Sequence, residues 1–149
     1  MLETDEIDER RPLGLVLLTG LYLFFFLVSV STYGNPFPFM GTIYQGTAAH
    51  VLVFVDCLIC LYLFLGLVKR QLVTWYVFLG YNLLEIVNTL VNLSQITPAE
   101  LEKVLGPGTR VQQEALMLNN IVAALGILLL SQYIYRHKDF FTNRQLYLF

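Results

Sequence analysis

Two carboxylates stand inside runs otherwise free of charge: Asp56 in residues 48–68 and Glu85 in residues 72–93. The side chains around them are the ones able to do chemistry. His50, Cys57 and Cys60 share the run of Asp56, and Asn82, Asn88, Thr89 and Asn92 share that of Glu85. Asn119 and Asn120 belong to a further apolar run, 116–135. A carboxylate in apolar surroundings is costly when charged, and two neighbouring ones can share a proton. Such a pair could carry protons or a coupled cation. It could hold a metal with His50 as third ligand. It could bind an amine-bearing or polar ligand, with the asparagines as fixed hydrogen-bond partners. The competing use is structural, because interhelical polar contacts fix helix register at well under ~2 kcal/mol each. His50 lies ~9 Å along a helix axis from Asp56 at ~1.5 Å per residue, so no metal site is assigned. The cofactor is left open.

Cys57-Leu-Ile-Cys60 is a C-x-x-C pair. In a chain with four apolar runs it resembles the DsbB and vitamin K epoxide reductase families, which pass electrons between disulfides and quinones. The resemblance implies a quinone-linked thiol oxidoreductase. Those relays use a second cysteine pair in an outer loop, and this chain has two cysteines in all. The spacing Asn82-x-x-Glu85 is similar to one in the membrane-associated eicosanoid and glutathione metabolism family. The arginine that binds glutathione there is Phe78 here. No Ser-His-Asp order, phosphate loop or nucleotide fingerprint occurs, and nothing reads as nucleic-acid binding.

The elements that must hold these residues follow from composition. Of 149 residues, 56% are hydrophobic and 13% charged, against about 25% charged in a soluble domain. The apolar runs are 13–32, 48–68, 72–93 and 116–135. Each has about 20 residues, enough to cross ~30 Å of hydrocarbon as a helix. Alternating segments of about ten residues, which a barrel needs, are absent. The sequence therefore predicts an all-α integral membrane protein, a single domain over 1–149 with four transmembrane helices in an up-down antiparallel bundle. The first run exceeds the ~7–15 apolar residues of a signal peptide, and acids precede its arginines, so it is read as a span.

Seven basic residues fall on one side of these runs: Arg10, Arg11, Lys69, Arg70, Arg136, Lys138 and Arg144. Only Lys103 and Arg110 fall on the other. The positive-inside rule then places both termini in the cytoplasm, in a plasma or inner membrane. Residues 1–11 carry Glu3, Asp5, Glu6, Asp8 and Glu9 and read as an acidic cytoplasmic tail. Residues 69–71 join the second and third spans. The loop 33–46, without charge and rich in Pro and aromatics, reads as an aromatic interfacial belt or as a hydrophobic lid. Thr97 and Glu100 form a capping box with Pro98 at the first helical position, so a short amphipathic helix is expected until Gly106-Pro107-Gly108.

On a helix, Asn82, Glu85, Asn88, Thr89 and Asn92 fall within about 120° of arc, as do His50, Asp56, Cys57 and Cys60. Asn119 and Asn120 lie near Ala123 and Gly126, small residues that let helices approach. By helical rise, Asp56 and Glu85 reach one level, ~3 Å outward of their midpoints. The expected site is an outward-facing polar pocket built from the second, third and fourth spans: Asp56, Glu85, Asn82, Asn88, Asn119, Asn120 and His50. Its expected use is ligand, proton or cation binding, with transport as one outcome. The alternative is an accessory or scaffold subunit using the same residues on a partner's helices. The bilayer, further copies of the chain and other membrane subunits are the expected partners.

Overall fold

The computed structural model describes residues 11–148. The acids of the expected tail, and Arg10, lie outside the described residues. Helix α1 spans Leu13–Ser31, α2 Gly46–Val68, α3 Leu72–Gln95, α4 Pro98–Leu105 and α5 Gln113–Arg136. All but α4 are long and apolar enough to cross a membrane. Each of these four exposes large apolar side chains, among them Leu17 and Phe24, Phe54 and Leu58, Leu83 and Leu90, Leu125 and Leu129. Water would penalise such a surface and hydrocarbon does not. This is the build of a multi-pass membrane protein.

The chain is not purely helical. Strands β1 (Phe37–Phe39) and β2 (Thr42–Tyr44) pair antiparallel in the loop after α1. Their two-residue turn, Met40-Gly41, has φ of 47° and 81°, the doubly positive pattern of a type I′ hairpin. Helix α4 starts with the expected capping box and ends at Gly106, φ 102°.

Helix α1 packs along α2, and α3 along α5. The contact of α2 with α3 is narrower. There Gly66 lies so near Thr74 that a Cβ would collide with its hydroxyl. The turn between these helices closes with Arg70 N–H donating to Leu67 O and Gln71 N–H to Gly66 O. These are the two bonds of a Schellman motif, with Arg70 at the left-handed position, φ 53°. The C-terminal segment straps this turn. Leu72 N–H donates to Asn143 O at 2.7 Å, and Asn143 N–H to Arg70 O at 3.0 Å. Arg70 Nε donates to Phe140 O, and buried Gln71 Nε2 to Tyr147 O. The main core lies beside this strap and includes Leu15, Leu63, Leu67, Trp75, Phe78 and Ile134.

Candidate functional site

The polar residues of the long helices separate into two groups. The first surrounds Asp56 on α2. Ser29 Oγ from α1 and the Tyr81 hydroxyl from α3 each donate to its carboxylate at 2.5 Å. Short bonds of this kind are typical of a hydroxyl donating to a charged acceptor. Cys60, one turn along α2, places its sulfur 3.7 Å from the Tyr81 hydroxyl and 3.9 Å from Ser29 Oγ. A second chain runs beside it. The Tyr22 hydroxyl donates to Asn82 Oδ1 at 2.9 Å, and Asn82 Nδ2 to Ser131 Oγ at 3.0 Å. Both polar atoms of the buried Asn82 side chain thereby have a partner inside the protein.

Between these chains is a cavity of about 210 Å³. Its polar wall consists of Tyr22, Ser29, Cys60, Tyr81, Asn82 and Glu85, and apolar side chains of α1 and α5 complete it. Glu85 thus faces the cavity directly, while Asp56 stands behind Ser29 and Tyr81. Glu85 lies within Coulombic range of Asp56, and Asn88 is its polar neighbour. Among the described residues no basic group contributes to its surroundings. One carboxylate therefore faces this small space, a second stands behind its wall, and no basic side chain lines it.

The second group holds the hairpin. Asn88 Oδ1 accepts from Met40 N–H at 2.8 Å, and Asn92 Oδ1 from Gly41 N–H at 2.7 Å. Asn92 Nδ2 donates to Pro38 O at 3.2 Å. These are the outward-pointing amides of the turn, which no strand pairs. Asn88 and Asn92 are therefore a latch that ties the hairpin to α3, directly above Glu85 on the same helix face.

Of the residues proposed from sequence, Asp56, Asn82 and Glu85 come together, with Asn88 adjoining. The others stand apart from the cavity wall. His50 stacks on Tyr33 with ring centroids 4.8 Å apart. Asn120 Nδ2 returns to its own helix at Leu116 O, and Asn119 is exposed. Sequence reasoning did not include α1 in the pocket. Tyr22 and Ser29 are seven residues apart, two turns on one face, and that spacing was the available signal. Tyr81, four residues before Glu85, was masked by the frequency of aromatics in membrane helices. Cys57 is half-buried and Cys60 buried, both as free thiols. A larger open cleft of about 380 Å³ lies between the hairpin turn and α4. Its Glu100 carboxylate is already committed to the capping box, so the cleft offers less chemistry than the smaller cavity. Among the described residues no cluster of three metal-ligating side chains occurs. Comparison of the chain with family models, with curated proteins and with solved structures gave no match.

Proposed function

We propose that the chain is an up-down four-span membrane protein that binds a small cationic group, a protonated amine or a monovalent cation, at Glu85. The observation that carries this reading is a carboxylate facing a 210 Å³ cavity with a second carboxylate behind the wall and no basic neighbour among the described residues. A cation entering there supplies the missing countercharge. The hydroxyls of Tyr22, Tyr81 and Ser29 supply hydrogen-bond partners. The cavity is below the ~300 Å³ at which drug-sized pockets begin, so the bound group is small. The distribution of basic residues supports cytoplasmic termini, with the hairpin and α4 on the opposite face. The cavity then lies near the middle of the bilayer, since its lining straddles the helix midpoints.

The test is calorimetry of ethylammonium binding to the full chain in nanodiscs. Wild type is expected to bind with one site per chain, and Glu85→Gln to lose at least tenfold in affinity while keeping its helical spectrum. Equal affinity in both proteins rejects the assignment. Native mass spectrometry of gently extracted protein addresses the accessory-subunit reading. A second polypeptide in stoichiometric amount, lost on Glu85→Gln, would replace the cation reading with it.

A further inference from the structure

The cavity has an extension that the sequence does not announce. Helices α1 and α5 do not pack against each other along their length, unlike α1 with α2 and α3 with α5. They meet where Tyr133 sits against Gly14, whose missing Cβ would overlap the tyrosine hydroxyl. Next to this contact a second hollow of about 280 Å³ lies between the same two helices, lined by Leu17, Leu18, Leu21 and Leu130. Leu130 also lines the polar cavity. The two hollows therefore adjoin along one seam, from Gly14 at one end to Ser29 at the other. Fifteen residues of helix span ~22 Å, well over half of the ~30 Å hydrocarbon thickness.

The seam is apolar over its length and acidic at its head. Leu17 on its edge is 65% exposed, so the groove opens sideways onto the surface that faces lipid. The direct route from the hairpin end is crossed by the hairpin, tied down through Asn88 and Asn92. Resting on the cation-site reading above, we infer that the bound group is the head of a single-chain cationic amphiphile, a long-chain primary amine in chemical class, which enters from the bilayer between α1 and α5. Its ammonium lies against Glu85 and its chain along Leu21, Leu18 and Leu17. A phosphate head would meet the Glu85 carboxylate with no basic side chain in the lining to offset it.

The test uses the full chain in phosphatidylcholine vesicles with hexadecylamine carrying a diazirine at the chain terminus. Irradiation is expected to label Leu17, Leu21, Leu130 or Tyr133 at least tenfold more than the outward-facing Leu125 and Leu129. Leu21→Trp, which fills the groove, should remove that preference, and so should Glu85→Gln. Leu130→Phe repeats the block from α5 should the first variant fail to fold. A hexadecanoic acid probe of equal length should show no preference. Uniform labelling of all lipid-facing leucines, or seam labelling unchanged by both blocking variants, overturns the inference. Glu85-dependent ethylammonium binding with uniform labelling leaves the cation site standing and removes only the amphiphile. Loss of both readouts removes both.

Discussion

The two ends of the helix bundle are built on opposite plans. At the tail end most polar groups bond within the chain, although Gln71 Oε1 and Thr74 Oγ1 are buried without a partner. Trp75 Nε1 donates to Ile134 O, and the Lys138 ammonium sits 4.4 Å over the Trp75 ring. Around these lie Phe78, Leu63 and Leu67, none of them exposed. From mid-bundle to the hairpin end the helices carry carboxylates, asparagines and a cavity, and a two-stranded turn is held to α3 by two amide side chains. Packing of the first kind determines one structure. The second kind leaves space and a carboxylate with no basic partner in the cavity lining.

Substitutions should break or sharpen this contrast in a fixed order. The largest effect is expected at Phe78, fully buried and 4.3 Å from the Tyr22 ring. Phe78→Ala should cost about 3–5 kcal/mol through the cavity it leaves, read as reversible unfolding in bicelles. A loss below ~1 kcal/mol would mean that the tail end is not the stable half. Tyr81→Phe comes next. It removes one of the two hydroxyls donating to Asp56 and should cost about 1–3 kcal/mol, the penalty for a buried group that loses a hydrogen-bond partner. The same variant should shift ethylammonium affinity. Asn92→Ala is smaller, about 1 kcal/mol, because water at the membrane edge can replace part of what is lost. Its signature is local: faster amide exchange at Met40 and Gly41, with Leu72 and Asn143 unchanged. Acceleration at both ends would show that the hairpin and the tail strap unfold together.

Sequence pattern and structure agree best where a single physical rule governs. Four apolar runs became four long helices, with ends shifted by up to three residues, as at Gln113 against the expected 116. Thr97, Pro98, Glu100 and Gly106 each carried a local signal, and α4 begins and ends on them. The hairpin was not legible, because Met40 takes a left-handed φ that ordinarily calls for Asn, Asp or Gly. The turn is stabilised instead by Asn88 and Asn92, about fifty residues away, which no local reading can supply. The same long-range logic explains the site. Helical arcs brought Asp56, Asn82 and Glu85 to inward faces, but an arc does not say which helix stands opposite. That partner is α1, whose Ser29 and Tyr22 had no charge to draw attention. His50, Asn119 and Asn120 share the polarity of the site but lie toward helix ends, where His50 stacks on Tyr33, Asn120 bonds its own backbone and Asn119 is exposed.

The smallest effect is a pH response confined to the hairpin side. The Thr97 N–H and the Thr97 hydroxyl both donate to the Glu100 carboxylate, at 2.8 and 3.0 Å. These bonds favour the charged form, with the backbone bond foremost, and hold Glu100 below the ordinary glutamate value. A depressed carboxylate contributes stability that is present above its unfolded value, and the contribution fades as pH falls through the folded one. The cap of α4 should therefore be intact at neutral pH and loosen only in acid, below the ~4.3 of a free glutamate. The Thr97 amide resonance reports this directly, moving along a titration whose midpoint lies under that value. Glu100→Gln should abolish the movement and leave the Leu72 amide, bonded to Asn143 at the other end, without a pH response. A Leu72 amide that titrated in step with Thr97 would instead show the two ends to be mechanically coupled. The tail strap would then belong to the same cooperative unit as the site.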